Sequence, residues 1–305
     1  MPSRFLILPM IRREIGMEIQ WYPGHMTKAR RQMQEDLKLI DLIIELLDAR
    51  IPASSRNPDI RSLGNGKSRL IIMNKADLAD ERATAEWESC FKDEGVPVMT
   101  VDSRRRADLR SLRPFIDEAC KERIERNIRR GFKNRPIRAM VVGIPNVGKS
   151  TFINTVAGRA SAKTGNRPGV TKGKQWIHLG KGLDLLDTPG ILWPKFEDPS
   201  VGTALALIGS ISKDVLNRDE LALELIGFLL REYPGTLAEH YQSEEDRPAE
   251  KILTSIAEAR GCITKGGAPD ESKAADLLLD EFRNGRLGRI SLERPGASMI
   301  ETGRG

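Results

Sequence analysis

The order of short apolar runs is the feature that most limits the fold of this chain. Helix-like periodicity fills most of the gaps between six runs of strand length, which lie at 41–49, 69–74, 96–102, 137–143, 174–180 and 183–189. Strands that alternate with helices form a mostly parallel sheet covered on both faces. Only a short Lys-Gly connection separates the last two runs, which predicts a hairpin and hence one antiparallel edge strand.

The pattern changes after residue 200. Four helix-like stretches follow without a β-rich run between them, at 203–216, 219–233, 248–261 and 271–285. A chain of 305 residues is long enough for two domains. The sequence therefore predicts an α/β domain over residues 17–200 and a helical domain over residues 201–305, in which the chain after Gly285 is frayed.

Composition narrows the class of protein. A hydrophobic content of 39%, a charged content of 30% and three cysteines describe a globular chain, neither disordered nor built on disulfides. Cys90, Cys120 and Cys262 form no CxxC pair and are predicted to be buried thiols, which fits a reducing cytoplasm. Apolar runs fall short of the roughly 18 residues needed to span a bilayer. For residues 1–16 we expect a disordered extension or a misassigned start, because Met17 opens a second plausible start.

A glycine-rich stretch, GIPNVGKST, runs from Gly143 to Thr151 between a predicted strand and a predicted helix. This is the context of a phosphate-binding loop, which aims backbone N–H groups at phosphates from a helix N-terminus. Lys149 is expected to hold the β- and γ-phosphates, and Ser150 to ligate Mg²⁺. The expected nucleotide contacts are Asn146, Val147, Gly148, Lys149, Ser150 and Thr151. A glycine-rich turn without a ligand is the alternative.

The segment DTPG, Asp187 to Gly190, ends the sixth apolar run. An aspartate there is expected to bind Mg²⁺, and the backbone N–H of Gly190 to contact the γ-phosphate. Thr171 is expected to be a second Mg²⁺ ligand in a mobile switch segment. Thr164 in the same segment is the alternative.

A third motif, Asn74-Lys75-Ala76-Asp77, follows the second apolar run. The carboxylate of Asp77 can accept hydrogen bonds from N1–H and the 2-amino group of guanine, whereas adenine offers neither donor. Lys75 is expected to lie over the base plane and Asn74 to brace the loops. Ser103 belongs to the last base-contacting loop, VDSRRR, and which residue of that loop meets the base stays open. The alternative for the motif is a solvated turn.

These motifs stand in an unusual order. In an ordinary GTP-binding domain the phosphate-loop strand comes first, the guanine-reading strands come last, and the two ends of the domain are close in space. Joining those ends and cutting elsewhere preserves the sheet. We therefore expect a circularly permuted domain whose six strands take the ordinary places four, five, six, one, two and three, with the join at 120–137 and the cut after Gly190.

Basic residues are concentrated near the expected join. Between residues 121 and 138, two acidic residues stand against eight basic ones, Lys121, Arg123, Arg126, Arg129, Arg130, Lys133, Arg135 and Arg138. This density favours a polyanionic partner, although a solvated helix and linker would show the same pattern.

Several segments together resemble the ribosome biogenesis GTPase A family (RbgA, also called YlqF), which are circularly permuted GTPases of large-subunit assembly. They are WYPGHMTKARRQM, LLDARIPASSRNP, NKAD, GIPNVGKST, RPGVTKGKQW and LDTPGILWPKFED. The resemblance covers roughly residues 17–294. It implies hydrolysis of GTP to GDP and phosphate, dependence on Mg²⁺, stimulation by K⁺ through Asn146, and a helical domain that helps grip ribosomal RNA.

The resemblance also implies a partner. This partner is a precursor of the large ribosomal subunit, contacted at its rRNA and ribosomal proteins. Ribosomal particles are expected to stimulate turnover during late assembly, and neither a membrane nor DNA is an expected partner. Two other functions stay open. An RNA-binding assembly scaffold would hold nucleotide structurally with incidental turnover, and a GTP-dependent RNA-modifying enzyme would need a second catalytic constellation, which is not visible in the sequence.

The catalytic group for water activation is an open question in this sequence. Ile191 stands directly after DTPG, where many GTPases place the glutamine that orients the attacking water. Isoleucine cannot polarise water, so either hydrolysis is slow or another group enters the site. The resemblance implies that His25 is this group and acts with Lys149. Without the resemblance, a lone histidine in a Pro-Gly turn is more often structural.

Overall fold

Six strands form the sheet predicted from the apolar runs. The structure, a computed structural model, describes residues 33–132, 135–158, 175–179, 182–188, 198–212 and 216–296, apart from the side chains of residues 59, 61, 62 and 175. The strands are β1 (Leu42–Asp48), β2 (Ser68–Asn74), β3 (Val98–Val101), β4 (Ile137–Val142), β5 (Gln175–Leu179) and β6 (Leu183–Asp187). All six predicted strands are confirmed.

The spatial order of the strands is β3-β2-β1-β4-β6-β5. Strands β1 and β4 are parallel neighbours, with Leu42 opposite Ala139, although β2 and β3 lie between them in sequence. Strands β5 and β6 pair antiparallel, which confirms the predicted hairpin and edge strand. Counting from β4, the chain supplies the ordinary strands one to three and then, from its N-terminal part, strands four to six. The domain is circularly permuted.

Among the described residues, the helices that accompany the sheet include α1 (Pro58–Leu63), α2 (Glu81–Asp93), α3 (Leu112–Ala119), α4 (Lys121–Arg129) and α5 (Lys149–Ala157). Two features of its sequence explain helix α2, an N-terminal cap and a buried apolar face. Asp80 caps its N-terminus by accepting a 2.8 Å hydrogen bond from the backbone N–H of Ala83, and Trp87 and Phe91 are buried one turn apart. Before β4, helices α3 and α4 meet at Cys120.

The helical region contains α6 (Pro199–Leu207), α7 (Arg218–Glu232), α8 (Thr236–Tyr241), α9 (Ala249–Ala259) and α10 (Glu271–Arg283). Asn217 and Asp270 cap α7 and α10 by accepting hydrogen bonds from backbone N–H groups of the first turn. Three of the four predicted helical stretches are confirmed, and α8 is a short addition between two of them. The stretch predicted at 203–216 is only partly helical, because α6 ends at Leu207 and Gly209 adopts a left-handed φ of 78° in the turn that follows.

The prediction of a frayed chain after Gly285 is wrong for residues 286–294, which we call the C-terminal strap. Leu287, Ile290 and Leu292 are buried in this segment. The backbone N–H of Ile290 donates to the Leu78 carbonyl at 3.0 Å, and that of Leu292 donates to the Arg50 carbonyl at 2.8 Å. The strap therefore packs against loops at the edge of the sheet, and its order comes from long-range contacts instead of local periodicity.

One continuous apolar core joins the sheet to the helical region, with members such as Leu46 and Val141 on strands and Leu225 and Leu278 on helices. The predicted domain boundary at residue 200 lies inside α6, which begins at Pro199, and it stays a prediction. All three cysteines are buried and free, as predicted. In the part of the chain that the structure describes, no helix is long and apolar enough to cross a membrane.

Candidate functional site

The carboxyl edge of the sheet brings the predicted motifs together. Strand β2 ends at Asn74, β4 leads into the phosphate loop and β6 ends at Asp187, so all three open at the same edge. The side-chain amide of Asn74 donates a 2.7 Å hydrogen bond to the Val147 carbonyl, and its oxygen accepts one of 2.9 Å from the backbone N–H of Ser103. Residues far apart in sequence therefore form one site, with Asn74 bracing the loops as predicted.

The phosphate loop is held in a conformation that requires glycine at its end. Gly148 has a φ of 102°, and a Cβ there would lie 2.4 Å from the Asn74 amide nitrogen. Helix α5 follows at Lys149, so its N-terminal N–H groups open onto the loop, with Ser150 and Thr151 in the first turn. This is the backbone arrangement that binds phosphate at a helix N-terminus.

The side chain of Lys149 folds back onto the phosphate loop. Its ammonium donates hydrogen bonds to the carbonyls of Gly143 at 3.0 Å and Ile144 at 2.8 Å. Burial lowers the pKa of Lys149 to about 8, with the charge of Asp187 opposing the shift and that of Lys75 adding to it. The lysine is therefore mostly cationic at neutral pH and positioned for an anion.

The loop that carries Lys75 and Asp77 is built on a buried ion cluster. Lys75 adopts a left-handed φ of 59°, and its ammonium lies 2.9 Å from the Asp48 carboxylate, which Arg50 also holds through two hydrogen bonds. Burial alone would raise the pKa of Asp48, but Arg50 and Lys75 outweigh it and keep that pKa well below its usual range. Asp48 therefore fixes the direction of the Lys75 side chain.

Three unpartnered buried atoms mark this edge as a binding site. Among the described residues, Asp77 Oδ1, Ser103 Oγ and Asp187 Oδ1 are buried side-chain atoms without a hydrogen-bond partner. A buried polar group that lacks a partner costs about 1–3 kcal/mol, and a ligand bound at this edge could supply partners for these three atoms. They lie in the loop after β2, in the loop after β3 and on the expected metal ligand at the end of β6.

The residues present fit a divalent cation. Asp187 is buried, and burial raises its pKa, with the charge of Lys149 opposing the shift. A hard cation takes carboxylate and hydroxyl oxygens, which Asp187 and Ser150 supply at the end of β6 and the start of α5. Asn146 is the predicted K⁺ ligand. Its amide nitrogen donates to the Gly209 carbonyl at 2.8 Å, so the amide oxygen is the atom that could take a cation.

Three predicted site residues, His25, Thr171 and Gly190, lie outside the described residues, as do Ile191 and Thr164. Their roles stay predictions. The other predicted site residues lie at one edge of the sheet, at strand ends, on loops or in the first turn of α5. They are Asn74, Lys75, Asp77, Ser103, Asn146, Val147, Gly148, Lys149, Ser150, Thr151 and Asp187.

Sequence reasoning missed Asp48, Arg104 and the turn at Gly209. Asp48 ends β1 at the same edge as Asn74 and Asp187, and that shared strand position was the available signal. Arg104 was noted only as one of three arginines, yet its guanidinium lies 2.6 Å from the carboxylate of Asp77. Gly209 carries no motif, and only the three-dimensional contact with Asn146 reveals it.

A scan of family models finds the family described as 50S ribosome-binding GTPase over residues 138–259. This match begins in β4, the strand that leads into the phosphate loop. It continues through the DTPG segment into the helical region.

Relatives extend the match to nearly the whole chain. Ribosome biogenesis GTPase A of Bacillus cereus is 46% identical over 280 residues, covering 92% of this chain and 95% of the relative. The GNP-bound structure of YlqF from T. maritima has a TM-score of 0.62 and 29% identity over 88% of this chain and 98% of its own. The GDP-bound structure of TM YlqF gives a TM-score of 0.63 and 28% identity, covering 87% and 99%. This chain belongs to the ribosome biogenesis GTPase A family.

Proposed function

We propose that this chain binds a precursor of the large ribosomal subunit in its GTP form, hydrolyses GTP to GDP and phosphate there, and so promotes late assembly. Membership of the family makes it a GTPase of ribosome biogenesis. The observation that carries the proposal is the joining of the base-reading loop to the phosphate loop through Asn74 and Val147. A family model described as 50S ribosome-binding supports the choice of subunit.

Guanine recognition is assigned to Asp77. Its Oδ1 is buried without a donor, and guanine offers two adjacent N–H donors that a carboxylate can accept. A site with a buried acceptor discriminates against a base that lacks the donor by a factor of roughly 10⁴ or more. Lys75, held by Asp48, would cover the face of the base. GDP-bound and GNP-bound structures of the T. maritima relative support nucleotide binding.

Phosphate binding is assigned to the loop and to Lys149, whose ammonium would exchange its two backbone carbonyl partners for phosphate oxygens. Ser150, Asp187 and Thr171 would hold Mg²⁺, and Asn146 would hold K⁺. These cations neutralise charge on the phosphates when bound. The carboxylate of Asp187 is already buried beside Lys149, so it is placed for a cation before nucleotide arrives.

Water activation is assigned to His25 because Ile191 cannot orient the attacking water. Both residues belong to segments outside the described ranges. A histidine on an N-terminal segment, remote in sequence from the phosphate loop, suits a group that the ribosomal particle places in the site. Slow basal turnover and fast turnover on the particle would then have one cause.

The RNA contact is assigned to α4 and the residues after it. Arg126, Arg129 and Arg130 are exposed, whereas Arg123 forms an ion pair with Asp41 within the protein. Phe132 is also exposed, at 52%. Exposed arginines next to an exposed aromatic ring suit RNA phosphates and unstacked bases.

Two routes connect the nucleotide site with the helical region. In the first route, two hydrogen bonds of 2.8 Å join the phosphate loop to the turn at Gly209 and Ser210. The Asn146 amide donates to the Gly209 carbonyl, and the Ser210 hydroxyl donates to the Pro145 carbonyl. The segment after Gly190 also leads directly into α6. A shift driven by the γ-phosphate could therefore reach the helical region, and such coupling is testable by hydrogen exchange over residues 198–212 with GDP and with a nonhydrolysable GTP analogue.

Turnover with and without purified large subunits tests the proposal. A GTPase switch should hydrolyse GTP many-fold faster with large subunits and not with small subunits at the same concentration. An assembly scaffold with structural nucleotide is the second candidate, favoured by the exposed basic helix. An unchanged rate of hydrolysis would support the scaffold and contradict the switch.

A further inference from the structure

The base-reading carboxylate is occupied by a side chain of the protein. Arg104 Nη2 lies 2.6 Å from Asp77 Oδ2, and the other oxygen of Asp77 is buried without a donor. Guanine would need both oxygens, one for N1–H and one for the 2-amino group. Arg104 therefore holds one of the two oxygens that would recognise the base.

The same arginine has a second anchor. Its Nε lies 2.9 Å from Asp102 Oδ1, and its Nη2 lies 3.1 Å from Asp102 Oδ2. The side chain of Arg104 is 66% exposed, so it has solvent-filled space in which to move. Leaving Asp77 would cost the arginine only one ion pair, because the bonds to Asp102 can hold it nearby.

We infer that Arg104 is a gating residue of the guanine site, which covers the Asp77 carboxylate when nucleotide is absent and moves off it, still held by Asp102, when guanine enters. The inference rests on the proposed base-reading role of Asp77. Arg104 acts as an internal competitor, since its guanidinium donates to the same oxygen that a guanine N–H would use. Guanine replaces one donor with two and fills the unmet acceptor at Oδ1, which makes the exchange favourable.

Removing the competitor should speed nucleotide binding. We expect Arg104→Ala to associate with fluorescent mant-GDP up to about fivefold faster than the unmodified chain, which is the weight of a partly exposed ion pair. Stopped-flow fluorescence measures this rate directly. The matched control is Arg105→Ala, which removes the same charge from the neighbouring position, where the arginine is 68% exposed and pairs with Asp108 instead. Its association rate should stay at the unmodified value.

A second pair of variants links the effect to Asp77. Asp77→Asn should lose affinity for mant-GDP and gain affinity for mant-XDP, because the amide offers a donor to the xanthine oxygen. An amide forms no ion pair with a guanidinium, so adding Arg104→Ala to Asp77→Asn should leave the association rate of mant-XDP unchanged.

Each outcome decides between the gate and its alternatives. An association rate for Arg104→Ala equal to that of Arg105→Ala would overturn the gate. A rate below that of Arg105→Ala would also overturn it, and would show that Arg104 supports the bound base. Faster binding that persists in the Asp77→Asn background would overturn it too, because the arginine would then act elsewhere. If Asp77→Asn bound mant-GDP as the unmodified chain does, the base-reading proposal itself would fail and the gate with it.

Discussion

The side-chain amide of Asn74 lies 2.7 Å from the carbonyl oxygen of Val147, 73 positions away in sequence. The same side chain accepts a hydrogen bond from the backbone N–H of Ser103. One buried residue therefore joins the loop after β2, the phosphate loop and the loop after β3. The contact joins two motifs that lie far apart in the permuted chain.

Asn74→Ala should weaken the binding of GDP and GTP by about tenfold or more, because it leaves two buried backbone groups without partners at 1–3 kcal/mol each. The preference for guanine over xanthine should persist, since Asp77 is unchanged. Calorimetric titration measures both quantities. Asn284→Ala is the control, as that amide caps only the end of α10. Equal nucleotide affinity in the two variants would show that the brace is not needed.

Much of the fold was predictable because its signals are local. The six strands follow from apolar runs of strand length, and their spatial order follows from the order of the phosphate and guanine motifs. The C-terminal strap was not predictable, because Glu293 is held by the backbone N–H groups of Ala53 and Ser54, some 240 positions away. Arg104 was equally hidden, since only the three-dimensional contact distinguishes it from Arg105.

Glu293 should make folding stability depend on pH. Burial raises its pKa to about 7, with hydrogen bonds from Ser54 and Ala53 opposing the shift. Because the pKa in the folded chain is raised above the ordinary value of 4.5, the folded state binds the proton more tightly. This stabilisation is present in full below pH 4.5 and is lost as pH rises through about 7.

Glu293→Gln should remove that dependence. The free energy of unfolding of the unmodified chain should fall relative to that of Glu293→Gln between about pH 4.5 and 7, by no more than about 3 kcal/mol. Urea unfolding at several pH values measures the difference. Glu86→Gln serves as the control, because that carboxylate is partly exposed and pairs with Arg294 at 3.1 Å. Parallel stability curves for the unmodified chain and Glu293→Gln would contradict the assignment.

Binding to ribosomal particles should depend strongly on salt. Replacing Arg126, Arg129 and Arg130 with glutamine should lower affinity and reduce the slope of log K against log salt by roughly 2 to 3, if each arginine contacts a phosphate. Sedimentation with large subunits over a range of KCl concentrations measures the slope. A control variant in which three other exposed basic residues, Arg82, Lys92 and Lys251, are replaced with glutamine should keep the slope of the unmodified chain. A flat slope in the unmodified chain would remove the electrostatic argument.

His25→Ala tests the proposed catalytic histidine. This variant should bind GTP and Mg²⁺ normally, because the phosphate loop and Asp187 are intact, but lose about a hundredfold or more in particle-stimulated hydrolysis. Single-turnover assays with large subunits separate the two effects. His178→Ala is the matched control, since His178 is 78% exposed on β5 and pairs with Asp184. Full stimulated hydrolysis in His25→Ala would make the histidine a docking residue.

Retention on a large-subunit precursor, measured by sedimentation at one fixed salt concentration, tests the central claim most directly. A GTPase switch binds the precursor in its GTP form and leaves after hydrolysis. The chain should therefore stay bound with a nonhydrolysable GTP analogue and be released with GTP or GDP. Equal retention with the analogue and with GDP would contradict the account, because the γ-phosphate would then have no influence on the partner.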